Sequence, residues 1–357
     1  MRRVVQFSTG NVGRHSLQAI IGRPDLELVG VHAASKDKIG RDAADLCGLT
    51  DPTGIVATDD IDALIALRPD CVVYTALGET RPMEALEQMT RLLAAGINVV
   101  GTSMIWLVTP RQADDWLRLP LEQACASGNS SLYVNGIDPG FSGDTAVHAA
   151  LSLVTRARSI SVKEVFDYGN YDDFEYTGTA MGFGSTPEDG PPMAFLPGVV
   201  ASMFGGLIRN LALHLDVKLD EVRDRFEPWY TDERIECTMT TVEPGQLAAV
   251  RFAAEGVIAG APVITVEHTT RLTAAAAPDW EYPPEGQIGV HKVIVEGEPR
   301  IETSTHLSHP VFDVTDAGCI STAARVVNVI DWVCSAPSGL ISVEDIPPTA
   351  MIRGLMW

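Results

Sequence analysis

The chain has 357 residues, of which 46% are hydrophobic and 20% are charged, and its formal net charge is −21. A negative field of this size repels phosphate backbones and anionic membranes, which argues against nucleic-acid and membrane-surface roles. Six scattered cysteines without a CxxC pair, and no visible targeting segment, favour a cytoplasmic protein. Residues 191–208 are uncharged and approach membrane-spanning length, but prolines and glycines interrupt them, so we expect a buried or interface helix there.

Residues 1–140 alternate short apolar strand patterns with amphipathic helix patterns. The strand patterns fall at residues 4–7, 26–31, 71–74, 98–101 and 131–134, and the helix patterns at 13–22, 59–67, 82–95 and 110–127. Short apolar strands that alternate with helices are typical of a parallel, doubly wound sheet. The sequence therefore predicts an α/β fold whose residues 1–140 form a Rossmann dinucleotide-binding domain.

The pattern changes after residue 140. Alternating, half-buried strand patterns now occur at residues 160–166, 235–242, 263–272, 290–295 and 300–306. Turn residues join several of them, which predicts a mostly antiparallel sheet in a second α+β domain of residues 141–316. Residues 317–357, with a helix pattern at 319–333, are expected to return to the Rossmann domain.

A strand, a tight turn of small residues and a helix start follow one another near residue 10. The loop consists of Ser8, Thr9, Gly10, Asn11, Val12, Gly13 and Arg14. Gly10 would let the backbone approach a pyrophosphate, and Gly13 would let the helix pack closely on the sheet. The helix N-terminus would face the phosphates with its amides and its positive dipole. Ser8 replaces the first glycine of the usual G-x-G-x-x-G motif, but the strand–turn–helix context predicts a dinucleotide site rather than an empty turn.

The segment after the second strand discriminates between the two nicotinamide cofactors. An acidic residue about 20 positions after the glycine loop would bind the ribose 2′-hydroxyl of NAD. This chain has Ser35, Lys36 and Lys38 there, and Arg14 could reach the same place. A hydroxyl and cations suit a 2′-phosphate, so we favour NADP(H) over NAD(H). Asp37 could itself bind the ribose, which keeps NAD as the alternative.

Further loops at the strand ends are expected to complete the cofactor site, because ligands of open α/β sheets bind at the carboxyl ends of the strands. The candidates are Thr75, Ala76, Leu77, Thr102 and Asn135. Turn chemistry alone explains each loop taken singly, whereas three loops at equivalent sheet positions favour a shared cleft.

Four segments of the chain resemble the dihydrodipicolinate-reductase-like family, which includes 2,4-diaminopentanoate dehydrogenase and the NAD(P)-dependent amine dehydrogenases. They are residues 7–13, 39–43, 135–141 and 322–328. The resemblance spans the chain and implies a Rossmann domain, a dimerising α+β domain, and hydride transfer between NAD(P)H and a C=N or C=O carbon. The basic, glycine-rich substrate motif of dihydrodipicolinate reductases is missing, so a dicarboxylate substrate is not expected.

The resemblance also implies a catalytic glutamate just after the fourth apolar strand pattern. Met104 occupies that position, and none of residues 101–108 is acidic. A carboxylate could activate ammonia and stabilise an iminium, whereas a thioether cannot, so this departure puts amination by the family mechanism in question. Another proton donor would then be needed, and the candidates are Glu79, Asp138 and Tyr168. The scattered histidines predict no metal site.

The leading hypothesis is an NADP(H)-dependent oxidoreductase of amine-dehydrogenase-like architecture, which acts on the C=N or C=O carbon of a small, largely apolar substrate. A carbonyl reductase or alcohol dehydrogenase that uses a tyrosine or carboxylate acid is one alternative. A non-catalytic NADP-binding sensor is the other. From the family likeness we expect a homodimer, with a small-molecule substrate and with neither nucleic acid nor membrane as a partner.

Overall fold

A computed structural model describes residues 1–347 and Met351 of the chain. The first 140 residues alternate strands and helices. In chain order these are β1 (Arg2–Phe7), α1 (Asn11–Ile21), β2 (Leu26–His32), α2 (Ala43–Cys47), β3 (Ala57–Thr58), α3 (Ile61–Ala66), β4 (Cys71–Tyr74), α4 (Pro82–Ala94), β5 (Asn98–Gly101), α5 (Asp115–Gly128) and β6 (Ser131–Val134). Two 3-10 turns, Ile105–Val108 and Pro110–Gln112, lie between β5 and α5, and the helix predicted from residue 110 begins only at Asp115.

Longer strands dominate the next part of the chain, and helices return near its end. The elements are α6 (Thr145–Leu151), β7 (Arg156–Asp167), α7 (Val199–His214), β8 (Glu221–Tyr230), β9 (Ile235–Glu236), β10 (Thr241–Val242), β11 (Leu247–Ile258), β12 (Ala261–Arg271), β13 (Gly289–Glu298), β14 (Ile301–Thr305), α8 (Val314–Val327), α9 (Ile330–Val333) and β15 (Gly339–Ile341). Of the predicted tail, residues 348–350 and 352–357 lie outside the described residues.

The chain divides into two compact units, the first of which comprises Met1–Gly140 and Gly318–Trp357. Within residues 1–347, seven strands of this unit form a parallel sheet in the order β15-β6-β5-β4-β1-β2-β3. The chain reverses its direction across the sheet between β1 and β4, which defines a doubly wound fold and places the ligand crevice at that point. The predicted Rossmann sheet is thus confirmed.

Helices α8 and α9, near the end of the chain, belong to the same core as the first strands. Val326, Ile330 and Val333 of α8 and α9 are buried together with Val4 of β1 and Val73 of β4. Beyond α9, strand β15 pairs in parallel with β6 and extends the sheet. This return buries apolar surface of strands that α1 to α5 alone would leave uncovered, because parallel strands are apolar on both faces.

The second unit comprises Phe141–Ala317. Within the described residues its main sheet has the order β14-β13-β7-β12-β11-β8. Its neighbouring strands run antiparallel except for β7 and β12, which pair in parallel. The predicted α+β unit with a mostly antiparallel sheet is therefore confirmed.

One strand prediction in this unit is wrong, and two strands were not predicted. Residues 235–242 form two dipeptide strands, β9 and β10, that pair with each other instead of one strand in the main sheet. The sequence did not indicate β8, because its charged residues hide the alternation, or β11, because Ala-rich segments resemble helices. Strand β11 nevertheless pairs along its length with β12 and β8, so tertiary pairing overrides its local propensity.

The uncharged segment at 191–208 contributes the start of helix α7. Phe204 and Ile208 on this helix are buried, and the Phe204 ring centroid lies 6.3 Å from that of Phe252 on β11. The helix thus covers one face of the second unit's sheet. Among the described residues, we find no helix that combines the length and the apolar character needed to cross a bilayer.

Candidate dinucleotide-binding site

The loop between β1 and α1 has the backbone geometry of a phosphate-binding turn. Ser8 has φ +76°, a left-handed conformation that normally favours glycine, at the position where the motif has its first glycine. A Cβ atom added to Gly10 would meet no atom within 4 Å, so there is open space beside this backbone. A Cβ added to Gly13 would lie 2.4 Å from the Ser8 carbonyl oxygen and 2.8 Å from Thr75 Oγ1. Gly13 is therefore closely packed, as the sequence predicted, whereas Gly10 has open space beside it.

A buried hydrogen-bond network holds this loop in place. The Gln6 side-chain amide donates to the Ser8 carbonyl at 2.8 Å and to Thr75 Oγ1 at 2.9 Å. Ser16 on α1 donates to Gln6 Oε1 at 2.7 Å. Sequence reasoning missed Gln6 and Ser16, although a glutamine inside an apolar strand pattern was a signal. No side chain caps the start of α1, and the first turn of this helix carries no acidic residue. Such a turn suits an anion.

The turn after β2 lies next to the phosphate loop. The Lys38 ammonium donates to the Thr9 carbonyl at 3.0 Å and so connects the two segments. Ser35 donates its hydroxyl to Asp37. This hydrogen bond and one from its own amide lower the pKa of Asp37, and the charges of Lys38 and Arg41 act in the same direction. Lys36 is exposed on the same turn.

An aromatic stack forms the floor of a pocket beside Ser8. The Phe7 ring lies between His32, with centroids 3.7 Å apart, and Tyr74, with centroids 4.6 Å apart. All three side chains are buried. Burial lowers the pKa of His32 to about 4, so the imidazole is neutral at physiological pH. The pocket is open on one side, and its lining includes Ser8, Ala34, Ala76, Leu77, Arg81, Glu84 and Gln88.

The loops after β4 and β5 are in direct contact. A Cβ added to Gly78 would lie 2.4 Å from Ser103 Oγ and 3.0 Å from Met104 Sδ, so only glycine allows this approach. Met104 is fully buried and has φ +63°. The Ile105 amide donates to the Glu79 carboxylate at 3.0 Å. Burial raises the pKa of Glu79, while backbone amides of residues 78, 79, 104 and 105 act against that increase.

Glu79 therefore presents a half-buried carboxylate to the turn that contains Met104. Along the same sheet edge, the Thr102 amide donates to the Tyr74 carbonyl at 3.1 Å, and the Asn135 amide donates to the Gly101 carbonyl at 3.0 Å. These bonds order the strand ends of β4, β5 and β6 in one row. The structure thus brings together the predicted cofactor-binding residues of the first unit at the carboxyl edge of its sheet.

Helix α8 holds the loop after β6 in place. Arg325 on α8 donates to Asn135 Oδ1 at 2.9 Å, a contact between residues 190 positions apart. Asn135 is buried, and a Cβ added to Gly140 would lie 2.8 Å from its Oδ1 atom. Asp138 lies in this loop and precedes a cis peptide bond to Pro139. Sequence reasoning placed Arg325 in a family segment but assigned it no contact with the loop.

Tyr168 lies in the second unit, just after β7. Its hydroxyl donates to Glu164 Oε1 at 3.2 Å. Burial and the Glu164 charge raise the pKa of Tyr168 well above its usual value. A phenol is a better proton donor when its pKa is lowered, so this shift is opposite to the one that an acid role requires.

Glu164 belongs to a buried polar row on the second unit's sheet that sequence reasoning missed. The Nδ1 atom of His268 on β12 lies 3.5 Å from Glu164 Oε1, and that of His291 on β13 lies 3.7 Å from Oε2. All three side chains are buried. Glu164 lies on the same buried face of β7 as Val162, two residues before it, so a charged residue at an apolar position was the available signal.

Comparisons with known proteins agree with this architecture. The 2,4-diaminopentanoate dehydrogenase C-terminal domain matches residues 154–356. An amine dehydrogenase of Streptomyces virginiae is 37% identical over 348 residues, which cover 97% of this chain and 96% of that protein. A 4-hydroxy-tetrahydrodipicolinate reductase of Synechococcus elongatus is 31% identical over 102 residues, which cover 28% of this chain and 37% of that protein.

A solved structure shares the fold over nearly the whole chain. The amine dehydrogenase of Mycobacterium smegmatis superposes with a TM-score of 0.77 at 18% identity, covering 99% of this chain and 97% of that one. The full-length sequence match and the domain match together show the family, and the phosphate loop fits a dinucleotide. The chain therefore belongs to the family of amine dehydrogenases and 2,4-diaminopentanoate dehydrogenase, and it is an NAD(P)-dependent oxidoreductase.

Proposed function

We propose that this protein uses NADP(H) to reduce or oxidise the C=N or C=O carbon of a small, largely apolar substrate. The nicotinamide cofactor supplies or accepts the hydride when bound, and residues 8–14 would hold its pyrophosphate. The fit rests on two properties of the loop, the open space beside Gly10 and the start of α1, which no side chain caps. Thr75, Ala76, Leu77, Thr102 and Asn135 would line the rest of the bound cofactor.

The observation that carries the NADP preference is the contact between Lys38 and Thr9. It holds an ammonium group between the phosphate loop and the turn after β2, which is where the ribose of an adenine dinucleotide binds in this fold. Asp37 is the acidic residue that would suit NAD, and its carboxylate accepts the Ser35 hydroxyl. Lys36 and Arg14 add positive charge to the same neighbourhood. A 2′-phosphate suits this combination better than a free hydroxyl does.

Glu79 is our candidate for the group that handles protons in place of the family glutamate. Met104 cannot do so, because a thioether neither donates nor accepts a proton at neutral pH. The Glu79 carboxylate reaches the same turn from the neighbouring loop, where it accepts the Ile105 amide. Its raised pKa brings its proton equilibrium closer to neutral pH, as general acid–base catalysis requires. Asp138, in the loop after β6, is the second carboxylate candidate.

A carbonyl reductase or alcohol dehydrogenase is the second candidate function, and the methionine at position 104 favours it. Without a glutamate there, ammonia activation loses its family residue, whereas carbonyl reduction needs a single proton donor. Tyr168 would be that donor only if substrate binding lowered the pKa that Glu164 and burial now raise. A non-catalytic NADP sensor is the third possibility. We further propose a cytoplasmic homodimer with a small-molecule substrate, as the family likeness implies.

The test is a titration of the purified protein with NADPH and NADH, followed by cofactor oxidation against ketones and aldehydes with and without ammonia. Turnover that requires ammonia would support reductive amination. Turnover without ammonia would support the carbonyl reductase. NADPH binding without turnover on any carbonyl would argue for the sensor, and failure to bind either cofactor would contradict the proposal as a whole.

A further inference from the structure

The pocket beside Ser8 carries polar groups that phosphate binding does not use. Its walls include Glu84 and Gln88, which are four residues apart and therefore lie on the same side of helix α4. The pocket floor is the stack of Phe7, His32 and Tyr74. A planar, partly polar group fits such a site. The pocket lies at His32 and Ala34, where β2 ends and the ribose of the adenine half binds in this fold, so the group expected there is the adenine base. The inference below rests on the proposed binding of NADP(H).

The hydrogen bonds of Gln88 fix the polarity of the pocket wall. Its Nε2 atom donates to Glu84 Oε1 at 3.1 Å, and because a carboxylate only accepts, the amide nitrogen must face Glu84. Gln88 Oε1 then faces the Tyr74 hydroxyl, which donates to it at 2.5 Å. Burial raises the pKa of Tyr74, so this hydroxyl keeps its proton. The chain of donors from Tyr74 through Gln88 ends on the carboxylate.

Glu84 therefore offers only acceptors to the pocket. A carboxylate has about four acceptor sites, and Gln88 takes one of them. Adenine presents a 6-amino group, which donates two hydrogen bonds, whereas hypoxanthine and guanine present a carbonyl oxygen at the same position. A carboxylate attracts the amino group and repels the carbonyl oxygen. We propose that Glu84, oriented by Gln88 and Tyr74, accepts a hydrogen bond from the adenine 6-amino group and makes the enzyme selective for adenine dinucleotides.

The experiment compares NADPH with its hypoxanthine analogue, reduced nicotinamide hypoxanthine dinucleotide phosphate, by isothermal titration calorimetry on the full-length protein. The two cofactors differ only at the base, so phosphate and ribose contacts cancel. A hydrogen bond to a charged group increases affinity by about tenfold or more. We therefore expect NADPH to bind at least about tenfold more tightly than the hypoxanthine analogue. Equal affinities would overturn the proposal.

Two glutamine variants on the same helix separate a base contact from a general charge effect. Glu84→Gln should reduce the preference for NADPH to about twofold or less, because an amide can donate to the hypoxanthine oxygen. Glu87→Gln is the matched control, since Glu87 is exposed on α4 and does not line the pocket. It should keep the wild-type preference. An unchanged preference in Glu84→Gln, or an equal loss in both variants, would overturn the role of Glu84.

The outcome also distinguishes this inference from the proposed function. If neither dinucleotide binds, the cofactor assignment fails and the base contact fails with it. If both bind equally well, the cofactor assignment stands and only the base contact fails. Circular dichroism of each variant provides the folding check, and Glu84 is exposed, so we expect the substitution to leave the fold intact.

Discussion

Alanine substitutions at Gly10 and Gly13 should separate cofactor binding from folding. At Gly10 an added Cβ meets no atom within 4 Å, and the backbone angles, φ −76° and ψ −160°, are open to alanine. At Gly13 the same atom would lie 2.4 Å from the Ser8 carbonyl oxygen and 2.8 Å from Thr75 Oγ1. The protein thus leaves room for a side chain at Gly10 and leaves none at Gly13, three positions further on.

These contacts set the expected changes in stability and in NADPH affinity. Overpacking costs about 1–3 kcal/mol, and the better helix propensity of alanine at Gly13 returns up to about 1 kcal/mol. We therefore expect Gly13→Ala to lose about 1–2 kcal/mol of stability, which is roughly 2–8 °C in Tm for a unit of this size. Gly10→Ala should change stability by less than about 0.5 kcal/mol. Its new methyl group would occupy the space of the pyrophosphate, so NADPH affinity should fall by about tenfold or more.

The assays are thermal unfolding without cofactor and NADPH titration followed by the fluorescence of the bound nucleotide. A Gly10→Ala protein that binds NADPH like the wild type would refute the placement of the pyrophosphate beside this residue. A Gly13→Ala protein with an unchanged Tm would show that the loop relaxes around the new atom. Close packing of α1 on the sheet would then not be what requires glycine at position 13.

Four other predictions follow from the site. Replacing Lys36 and Lys38 together with alanine should weaken NADPH binding far more than NADH binding, and equal losses in a parallel titration would contradict the 2′-phosphate assignment. Met104→Glu should create or increase ammonia-dependent NADPH oxidation with ketones, and a folded variant without that gain would show that more of the site has diverged. Glu79→Gln should reduce turnover by about 10²-fold or more with little change in NADPH affinity, whereas unchanged turnover would remove Glu79 from proton transfer. Because the pKa of His32 is lowered from 6.5 to about 4 by burial, the unfolded state binds the proton first, and stability should decrease as pH falls from 6.5 toward 4. Denaturant titrations across that range should show a weaker decrease in His32→Asn, and an identical pH profile would contradict the assignment.

The sequence by itself determined the features that depend on neighbouring residues. The alternation of apolar strands and amphipathic helices predicted the Rossmann sheet, and the run from Ser8 to Arg14 identified the phosphate loop, because strand, turn and helix signals are local. The close packing at Gly13 could also be predicted, since it follows from backbone geometry. The same locality explains the errors at β8 and β11, where pairing with distant strands prevailed over charge and alanine content.

Only the tertiary structure decided which side chains meet. Gln6, Ser16 and Thr75 form one network because β1, α1 and the loop after β4 converge, and their sequence separation hides that contact. Glu79 reaches the turn at Met104 for the same reason. A parallel sheet aligns the carboxyl ends of its strands, and this brings together residues that are far apart in the sequence. Local sequence patterns therefore cannot predict such contacts. The cofactor class, NAD(P), could therefore be predicted from one segment, whereas the groups that we propose for proton transfer and for base binding became evident only in the assembled sheet edge.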